Sequence, residues 1–366
     1  MKFVQPLSRR SRHRTSSVPR NPLVAVFLVL FCLCHSTSLV QSFPNPAAVP
    51  TLQQQKFDYT MTKQAMPTKR MASFSSLYRG DKMKLGATMI LLMDLSSPLW
   101  KAITIYAGAD SIGFLVSVMT GSHLHLDLIG TGAFALPALY TLILSSKTSS
   151  ITLSQQVSSI AVCLWATKLA AFLFLRALQL GHDARLTDTL STVSGTFEFW
   201  FVTFLWNVFC SLPYLLGLLS SKSDPLYVGL GSLVYGTGLI VETLADAQKW
   251  FFKQSHPGQF CNVGLWSISQ HPNFFGNLVL WFGILVMNIP ALTNVPSSFS
   301  GISGMVVGQG RLVIALLSPM FMWALFYGQA IGAVTPAAQQ AMAKYGDDPE
   351  YQKYIAETPL IIPKLW

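Results

Sequence analysis

Polar side chains cluster directly before an apolar segment in the C-terminal half of the chain. His271, Pro272 and Asn273 precede the apolar residues 274–289. Polar groups at the edge of a bilayer are costly unless they bind a partner, although His and Asn can also cap a helix. Because proline is tolerated at a helix start, we predict that a helix begins here, with Asn273 in its first turn. The stretch is therefore a candidate binding site, with helix capping as the alternative.

Four charged residues stand upstream of this stretch at helical spacing. Glu242, Asp246, Lys249 and Lys253 are three or four residues apart, so one stripe of a helix presents all of them. In one interpretation they form a salt-bridged helix end. In the other they bind a nucleotide, with carboxylates accepting hydrogens from ribose or amide groups and lysines contacting phosphates. Spacing alone favours the salt-bridged end.

Two more polar segments complete the set of candidate residues. Asp183 and Arg185 lie in a short charged loop, and Tyr351 and Tyr354 follow a polar turn near the end of the chain. The alternatives are a solvated connection and a tail packed on the membrane surface. The sequence contains no Cys-x-x-Cys pair and no hydrolase, zinc-protease, P-loop or Rossmann motif, so we predict no metal site.

Composition indicates the class of protein. Hydrophobic residues make up 51% of the chain and charged residues 11%, against about 25% charged in soluble domains. These values predict an all-α polytopic membrane protein with about seven transmembrane helices, and hence a lipid bilayer as partner. The net charge of +10 includes an acid-free basic cluster in the first twenty residues. This distribution favours contact with anionic lipid or phosphate and predicts no nucleic-acid partner.

Apolar segments give the expected positions of the spans. The seven predicted spans are residues 103–119, 126–144, 160–180, 199–219, 226–244, 274–289 and 312–333. A shorter apolar run, residues 85–95, is predicted to lie at the interface, and residues 290–311 are predicted to form a loop. Lys and Arg are in modest excess in the loops 181–198 and 245–273 and in the tail, which predicts that this face is cytosolic or stromal.

The N-terminal region is typical of a targeting leader. Residues 1–42 combine a basic start, an apolar run and a small-residue cleavage site, which predicts a signal peptide. Residues 43–82 are polar and nearly free of acid, like a disordered transit-type arm, and residues 83–366 form the membrane domain. A two-part leader for a plastid of secondary origin and an ordinary secretory signal with a disordered arm both fit. The expected location is therefore the endoplasmic reticulum or a plastid membrane.

Several motifs together resemble those of one enzyme family. Residues 264–277, GLWSISQHPNFFGN, are similar to the motif G-L-W-x-x-S-R-H-P-N-Y-F-G-E of the steroid 5-alpha-reductase C-terminal-domain family. An A-D-x-Q motif at 245–248, a D-x-R motif at 183–185 and a G-D-D-P-E-Y ending from residue 346 follow the same family. The resemblance covers about residues 126–366 and points to its uncharacterised branch.

This resemblance implies a seven-helix bundle that binds NADPH from the cytosolic side. It implies reduction of a carbon–carbon double bond conjugated with a carbonyl in an apolar, sterol- or isoprenoid-like substrate. Asp246 and Asn273 would contact the nicotinamide, and Trp281 would form a wall of the pocket. The basic residues and tail tyrosines would face phosphates or adenine. The implied cofactor-binding residues are Asp183, Arg185, Glu242, Asp246, Lys253, His271, Asn273, Trp281, Tyr351 and Tyr354.

The chain departs from the family pattern at several positions. The acidic residue usual after the last span is missing from residues 335–340, and the carbonyl-polarising tyrosine and glutamate of the second and third spans have no evident counterpart. Four further positions carry a different side chain. Gln270 stands for an arginine, Phe274 for a tyrosine, Asn277 for a glutamate, and Lys168 for an arginine. Loss of an arginine removes a bidentate contact with phosphate, and glutamine does not restore it. Two alternatives to the reductase therefore remain: a membrane methyltransferase that uses S-adenosylmethionine, and a non-catalytic relative that binds lipid or a protein partner.

Overall fold

The computed structural model describes the chain in six stretches, which contain helices and no β-strand. The described residues are 97–122, 124–148, 151–181, 190–295, 301–334 and 337–364. The predicted leader, the transit-type arm and the apolar run 85–95 lie outside them. The α-helices are α1 (Pro98–Thr120), α2 (Leu126–Gly130), α3 (Ala135–Thr148), α4 (Leu153–Leu180), α5 (Val193–Gly217), α6 (Pro225–Ser255), α7 (Pro272–Leu292), α8 (Gly301–Ala330), α9 (Ala337–Tyr345) and α10 (Pro349–Glu357).

Seven membrane-length apolar helical segments occur within the described residues, which confirms the predicted architecture. The second is composite: α2, a 3₁₀ turn at Gly132–Phe134 and α3 follow one another without a break. The prediction of a loop over residues 290–311 was wrong at both ends, because α7 continues to Leu292 and α8 already begins at Gly301. Glycine and serine lower helix propensity, but among apolar neighbours in a membrane they do not end a helix.

Proline and short polar side chains mark where the helices begin. Pro98, Pro225, Pro272 and Pro349 each stand in the first turn of a helix, where the missing N–H is not needed. Asp224 accepts a hydrogen bond from the backbone N–H of Leu226 and so caps α6. The predicted start of α7 at Pro272, with Asn273 in its first turn, is confirmed.

Helices α6 and α7 pack so closely that glycine is required between them. A Cβ atom on Gly238 would collide with the α7 backbone at Leu280 and Gly276. A Cβ atom on Gly276 would in turn collide with Glu242 on α6. Small residues allow this approach in membrane helices, where packing rather than water drives association. The close contact places the charged stripe of α6 directly against the polar start of α7.

We expect Gly238→Ala to lower the free energy of unfolding by about 1–3 kcal/mol, because the added methyl group overpacks the contact with α7. The matched control is Gly236→Ala on the same helix, where an added Cβ would meet no atom. That control should be neutral or slightly stabilising, since alanine favours the helix by up to about 1 kcal/mol. The free energy of unfolding of both variants is measured in detergent micelles. Equal effects of the two substitutions would contradict the packing argument.

An aromatic cluster fills the middle of the bundle below the charged stripe. Phe134 lies with its ring centroid 5.1 Å from that of Trp165, 5.0 Å from Trp206 and 5.5 Å from Trp281. Trp165 and Trp281 also meet edge to face at 5.1 Å. Such pairs add to the burial of large apolar surface, so these four rings form a packed aromatic floor for the polar residues.

Candidate functional site

A buried ion pair joins α4 to α6 at one end of the bundle. The Lys168 amine contacts Glu242 Oε2, and the two side chains are 26% and 1% exposed. Glu242 Oε1 is also buried, yet it has no hydrogen-bond partner among the described residues. A buried carboxylate normally uses both oxygens. The Asp246 carboxyl group lies beside that of Glu242, so the second Glu242 acceptor can be satisfied by a proton shared with Asp246 or by a ligand that donates a hydrogen bond.

Asp246 lies one helical turn beyond Glu242 and joins α6 to the start of α7. The amide Nδ2 of Asn273 donates a hydrogen bond of 3.1 Å to Asp246 Oδ1. Asn273 Oδ1 is buried and has no partner in the described part of the chain. His271, the N-cap residue of α7, makes no side-chain capping bond. The capping alternative therefore gains no support from His271, and the amide of Asn273 is turned towards α6.

A line of side chains on one face of α7 continues the polar site inwards. Asn273, Asn277 and Trp281 are four residues apart. Asn277 accepts a 2.9 Å hydrogen bond from Trp165 Nε1 and donates one of 3.2 Å to the Asn273 carbonyl. The indole Nε1 of Trp281 is buried without a described partner. The site therefore offers a spare donor as well as the two spare acceptors.

Basic side chains lie around the outer end of this polar site. Lys249 Nζ is 4.0 Å from the ring centroid of Trp266. Lys253 donates to the hydroxyl of Tyr345 at 2.9 Å. Arg176 on α4 interacts electrostatically with both Asp246 and Lys249. It forms no hydrogen bond or ion pair within the described residues.

The end of the chain closes over the connection between α6 and α7. Gln270 donates from its side chain to the carbonyls of Thr358, at 2.6 Å, and Ile355, at 3.1 Å. Its backbone N–H donates to the Pro359 carbonyl at 2.9 Å. Ser269, Ile268 and Trp266 of the same connection bond to Ile361, Lys364 and Tyr354 of the tail. Gln270 therefore holds the tail against the connection between α6 and α7.

Replacing Gln270 with alanine should release the tail. Loss of its side-chain bonds to two carbonyls weakens the closed state by about 1–2 kcal/mol, which corresponds to about 5- to 30-fold more of the open form. Limited proteolysis of the last fifteen residues measures this as faster cleavage. Gln340→Ala, an exposed glutamine on α9, is the control and should not change the rate. Unchanged cleavage of the Gln270 variant would show that other contacts suffice.

The tail tyrosines pack around one aromatic side chain of the α6–α7 connection. Ring centroids of Tyr351 and Tyr354 lie 5.1 Å and 5.5 Å from that of Phe260. Burial raises the pKa of both hydroxyls, so both remain neutral at physiological pH. Burial acts to raise the pKa of Tyr345 as well, but the hydrogen bonds and charges of Lys253 and Lys344 together lower it. A polar cavity of about 300 Å³ lies beside this cluster, lined in part by Gln259, Tyr345 and Glu350.

His271 is half-buried and stacks on an aromatic neighbour. Its ring centroid lies 4.9 Å from that of Phe274, which in turn stacks on Phe326 at 4.7 Å. Burial, helped by the charge of Lys249, lowers the pKa of His271 from 6.5 to about 4. The imidazole is therefore neutral at physiological pH and does not serve as a cation for phosphate.

The lowered pKa of His271 predicts a loss of stability in acid. Between pH 6.5 and about 4 the unfolded chain binds more protons than the folded one, so the free energy of unfolding falls as the pH falls. Asn in place of His271 should flatten that part of the pH–stability curve, since asparagine does not titrate. Detergent-unfolding midpoints across this range measure both proteins. An unchanged slope in the variant would assign the effect to other groups.

The structure brings some of the predicted residues together and separates others. Glu242, Asp246 and Asn273 form one cluster, and Trp281 lies further along the same face of α7. Lys253, Tyr351 and Tyr354 belong to the outer tail cluster. Asp183 and Arg185 lie outside the described residues. Lys168 and Arg176 also belong to the site but were not among the predicted cofactor-binding residues. They lie two turns apart on the same face of α4, and this spacing could have identified Arg176 from the sequence.

These features define the class: an integral membrane protein of seven apolar helical segments, with a buried polar cluster at one end beneath a docked C-terminal tail. The chain belongs to the family described as "Protein of unknown function (DUF1295)", which matches residues 113–358. That range contains Lys168, Glu242, Asp246 and Asn273, and it ends within the docked tail. No curated protein and no solved structure matches the chain.

Proposed function

We propose that the protein is a membrane reductase that uses NADPH to saturate a carbon–carbon double bond conjugated with a carbonyl group. The observation that carries the proposal is the pair of spare acceptors, Glu242 Oε1 and Asn273 Oδ1, beside Asp246. Cationic side chains lie around the outer end of the same site. The sequence resemblance to the steroid 5-alpha-reductase family supports the same assignment.

The spare acceptors fit the carboxamide end of a nicotinamide. A carboxamide carries two N–H donors, and Asn273 Oδ1 can accept one of them while Asp246 holds the asparagine in place. An unsatisfied buried acceptor costs about 1–3 kcal/mol, so a ligand that donates to it recovers that amount. Binding of an amide group at this site would therefore be favourable.

The cations fit the phosphate end of the same ligand. Lys249 and Lys253 lie one turn apart on α6, and Arg176 on α4 is close enough to Lys249 for their charges to interact. None of these three has a carboxylate within ion-pair distance in the described part of the chain. Arginine and lysine are the usual partners of phosphate, and a docked tail would restrict water around them.

Bound NADPH would supply the hydride for the reduction. The chain would orient the nicotinamide with Asp246 and Asn273 and exclude water with its aromatic floor. The buried Nε1–H of Trp281 could donate a hydrogen bond to the carbonyl oxygen of the substrate and so stabilise the negative charge that develops on that oxygen. On this proposal α6 and α7 bind the cofactor and orient it.

An apolar substrate would enter from the bilayer. A groove of about 560 Å³ between α1 and the second crossing is lined mainly by apolar side chains, including Ile112, Leu128 and Leu136. Its inner wall includes Ala133, next to Phe134 of the aromatic floor. Such walls suit a sterol- or isoprenoid-like substrate. On this proposal the membrane is that of the endoplasmic reticulum or of a plastid.

A ligand-stability screen tests the proposal. Purified full-length protein in detergent is heated alone, with NADPH, with NADH and with S-adenosylmethionine. We expect NADPH to raise the melting temperature and S-adenosylmethionine to leave it unchanged. Protection by S-adenosylmethionine alone would favour a methyltransferase. No protection by any of the three would favour a non-catalytic relative, and either result would overturn the reductase assignment.

A further inference from the structure

A second set of buried polar groups lies between α1 and α5, away from the site described above. Tyr106 and Ser211 share a hydrogen bond of 2.8 Å, and one turn further along α1, Asn207 Nδ2 donates to Asp110 Oδ2 at 3.0 Å. Trp200 Nε1 donates to Ser117 Oγ at 3.0 Å. Polar contacts of this kind between membrane helices need a specific explanation, because desolvation makes them costly to leave incomplete.

The central pair is incomplete on both sides. Asp110 is 3% exposed and Asn207 is fully buried. Asp110 Oδ1 and Asn207 Oδ1 both lack a hydrogen-bond partner among the described residues. No cation of the described chain forms an ion pair with Asp110. If the carboxyl group were ionised, an unpaired negative charge would therefore lie within a membrane-spanning segment beside a second unpaired acceptor.

A single proton would give both unpartnered oxygens a hydrogen bond. Placed on Asp110 Oδ1, it makes this atom a donor to Asn207 Oδ1, while Asn207 Nδ2 already donates to Asp110 Oδ2. The two side chains would then form a closed ring of two antiparallel hydrogen bonds. A divalent metal ion fits less well, since it needs about six oxygen ligands and this pair offers only two spare ones.

We propose that Asp110 is a proton-binding site and that its carboxylic acid forms a neutral, doubly hydrogen-bonded pair with the amide of Asn207. The pair joins α1 to α5 without placing a charge in the bilayer. It lies on helices other than those that carry the spare acceptors of the proposed NADPH site, so it stands independently of the proposed function.

Infrared difference spectroscopy of the full-length protein in lipid tests the proposal. A protonated carboxylic acid absorbs at a higher C=O stretching frequency than a carboxylate. Subtracting the Asp110→Asn spectrum from that of the unchanged protein should reveal one carboxylic acid band, present at neutral pH. The control is Asp224→Asn at the start of α6, where asparagine still caps the helix. Its difference spectrum should reveal a carboxylate band.

A second variant keeps Asp110 in place. Asn207→Leu removes the amide partner, so the acid band should remain and shift to higher frequency as its C=O loses a hydrogen bond. Asp110→Asn should retain the melting temperature, because two amides can form the same ring. A carboxylate band in the Asp110 difference spectrum, or an acid band that does not respond to Asn207→Leu, would overturn the proposal.

Discussion

Replacing Asp246 with alanine is expected to abolish the protection against heat that NADPH gives to the protein. Asp246 holds the amide of Asn273, whose free oxygen would accept a hydrogen bond from the nicotinamide carboxamide. At a concentration one hundred times the dissociation constant, a ligand stabilises the folded state by about 2.7 kcal/mol. Loss of the carboxylate that positions Asn273 should remove most of this stabilisation. The measurement is the difference in melting temperature with and without NADPH.

Two further proteins make the Asp246 result specific. Asp224→Asn alters a carboxylate at the opposite end of the same helix and should leave the NADPH effect unchanged. Asn273→Ala removes the spare acceptor itself and should reproduce the loss seen with Asp246→Ala. Full protection of the Asp246 variant would contradict the proposed binding mode, whatever the resting stability of that variant.

The largest loss of stability is expected from Lys168→Met. The substitution leaves Glu242, which is fully buried, without its cation between α4, α6 and α7. Removing one partner of a buried ion pair costs about 3–5 kcal/mol, because the remaining charge is desolvated and unpaired. Reversible unfolding in detergent measures the effect as a lower midpoint.

A double variant separates the lost charge from the lost side chain. Adding Glu242→Gln to Lys168→Met removes the uncompensated charge and should recover most of the stability. Lys168→Arg keeps the positive charge and should stay near the unchanged protein. If the single and the double variant were equally unstable, the loss would come from packing around Lys168 and the ion-pair argument would fail.

Much of the architecture could be predicted because a membrane restricts which segments of a sequence can cross it. Seven apolar segments give the spans directly, since the bilayer accepts helices of that length and rejects unpaired backbone. The start of α7 followed from Pro272 and its polar neighbours. The prediction of a loop over residues 290–311 was wrong at its ends. Glycine and serine favour turns in water, but among apolar neighbours in a membrane they do not end a helix.

The candidate site was harder to predict because its key contacts are distant in sequence. Glu242, Asp246 and Asn273 were identified from spacing and resemblance, but the lysine that pairs with Glu242 lies on α4, 74 residues earlier. Residue spacing on one helix does not reveal which other helix packs against it. The role of Gln270 was also hidden, because its partners are backbone carbonyls and no side-chain pattern marks them.

The tail contacts have a consequence for the order in which the molecule is completed. Residues 358–364 are synthesised after α8, the last of the seven apolar segments, yet they bond to residues that precede α7. The segments can therefore enter the bilayer while the connection between α6 and α7 still lacks its cover. The tail can cover the connection between α6 and α7 only after residues 358–364 have left the ribosome, so this closed arrangement would form after the seven apolar segments have been made.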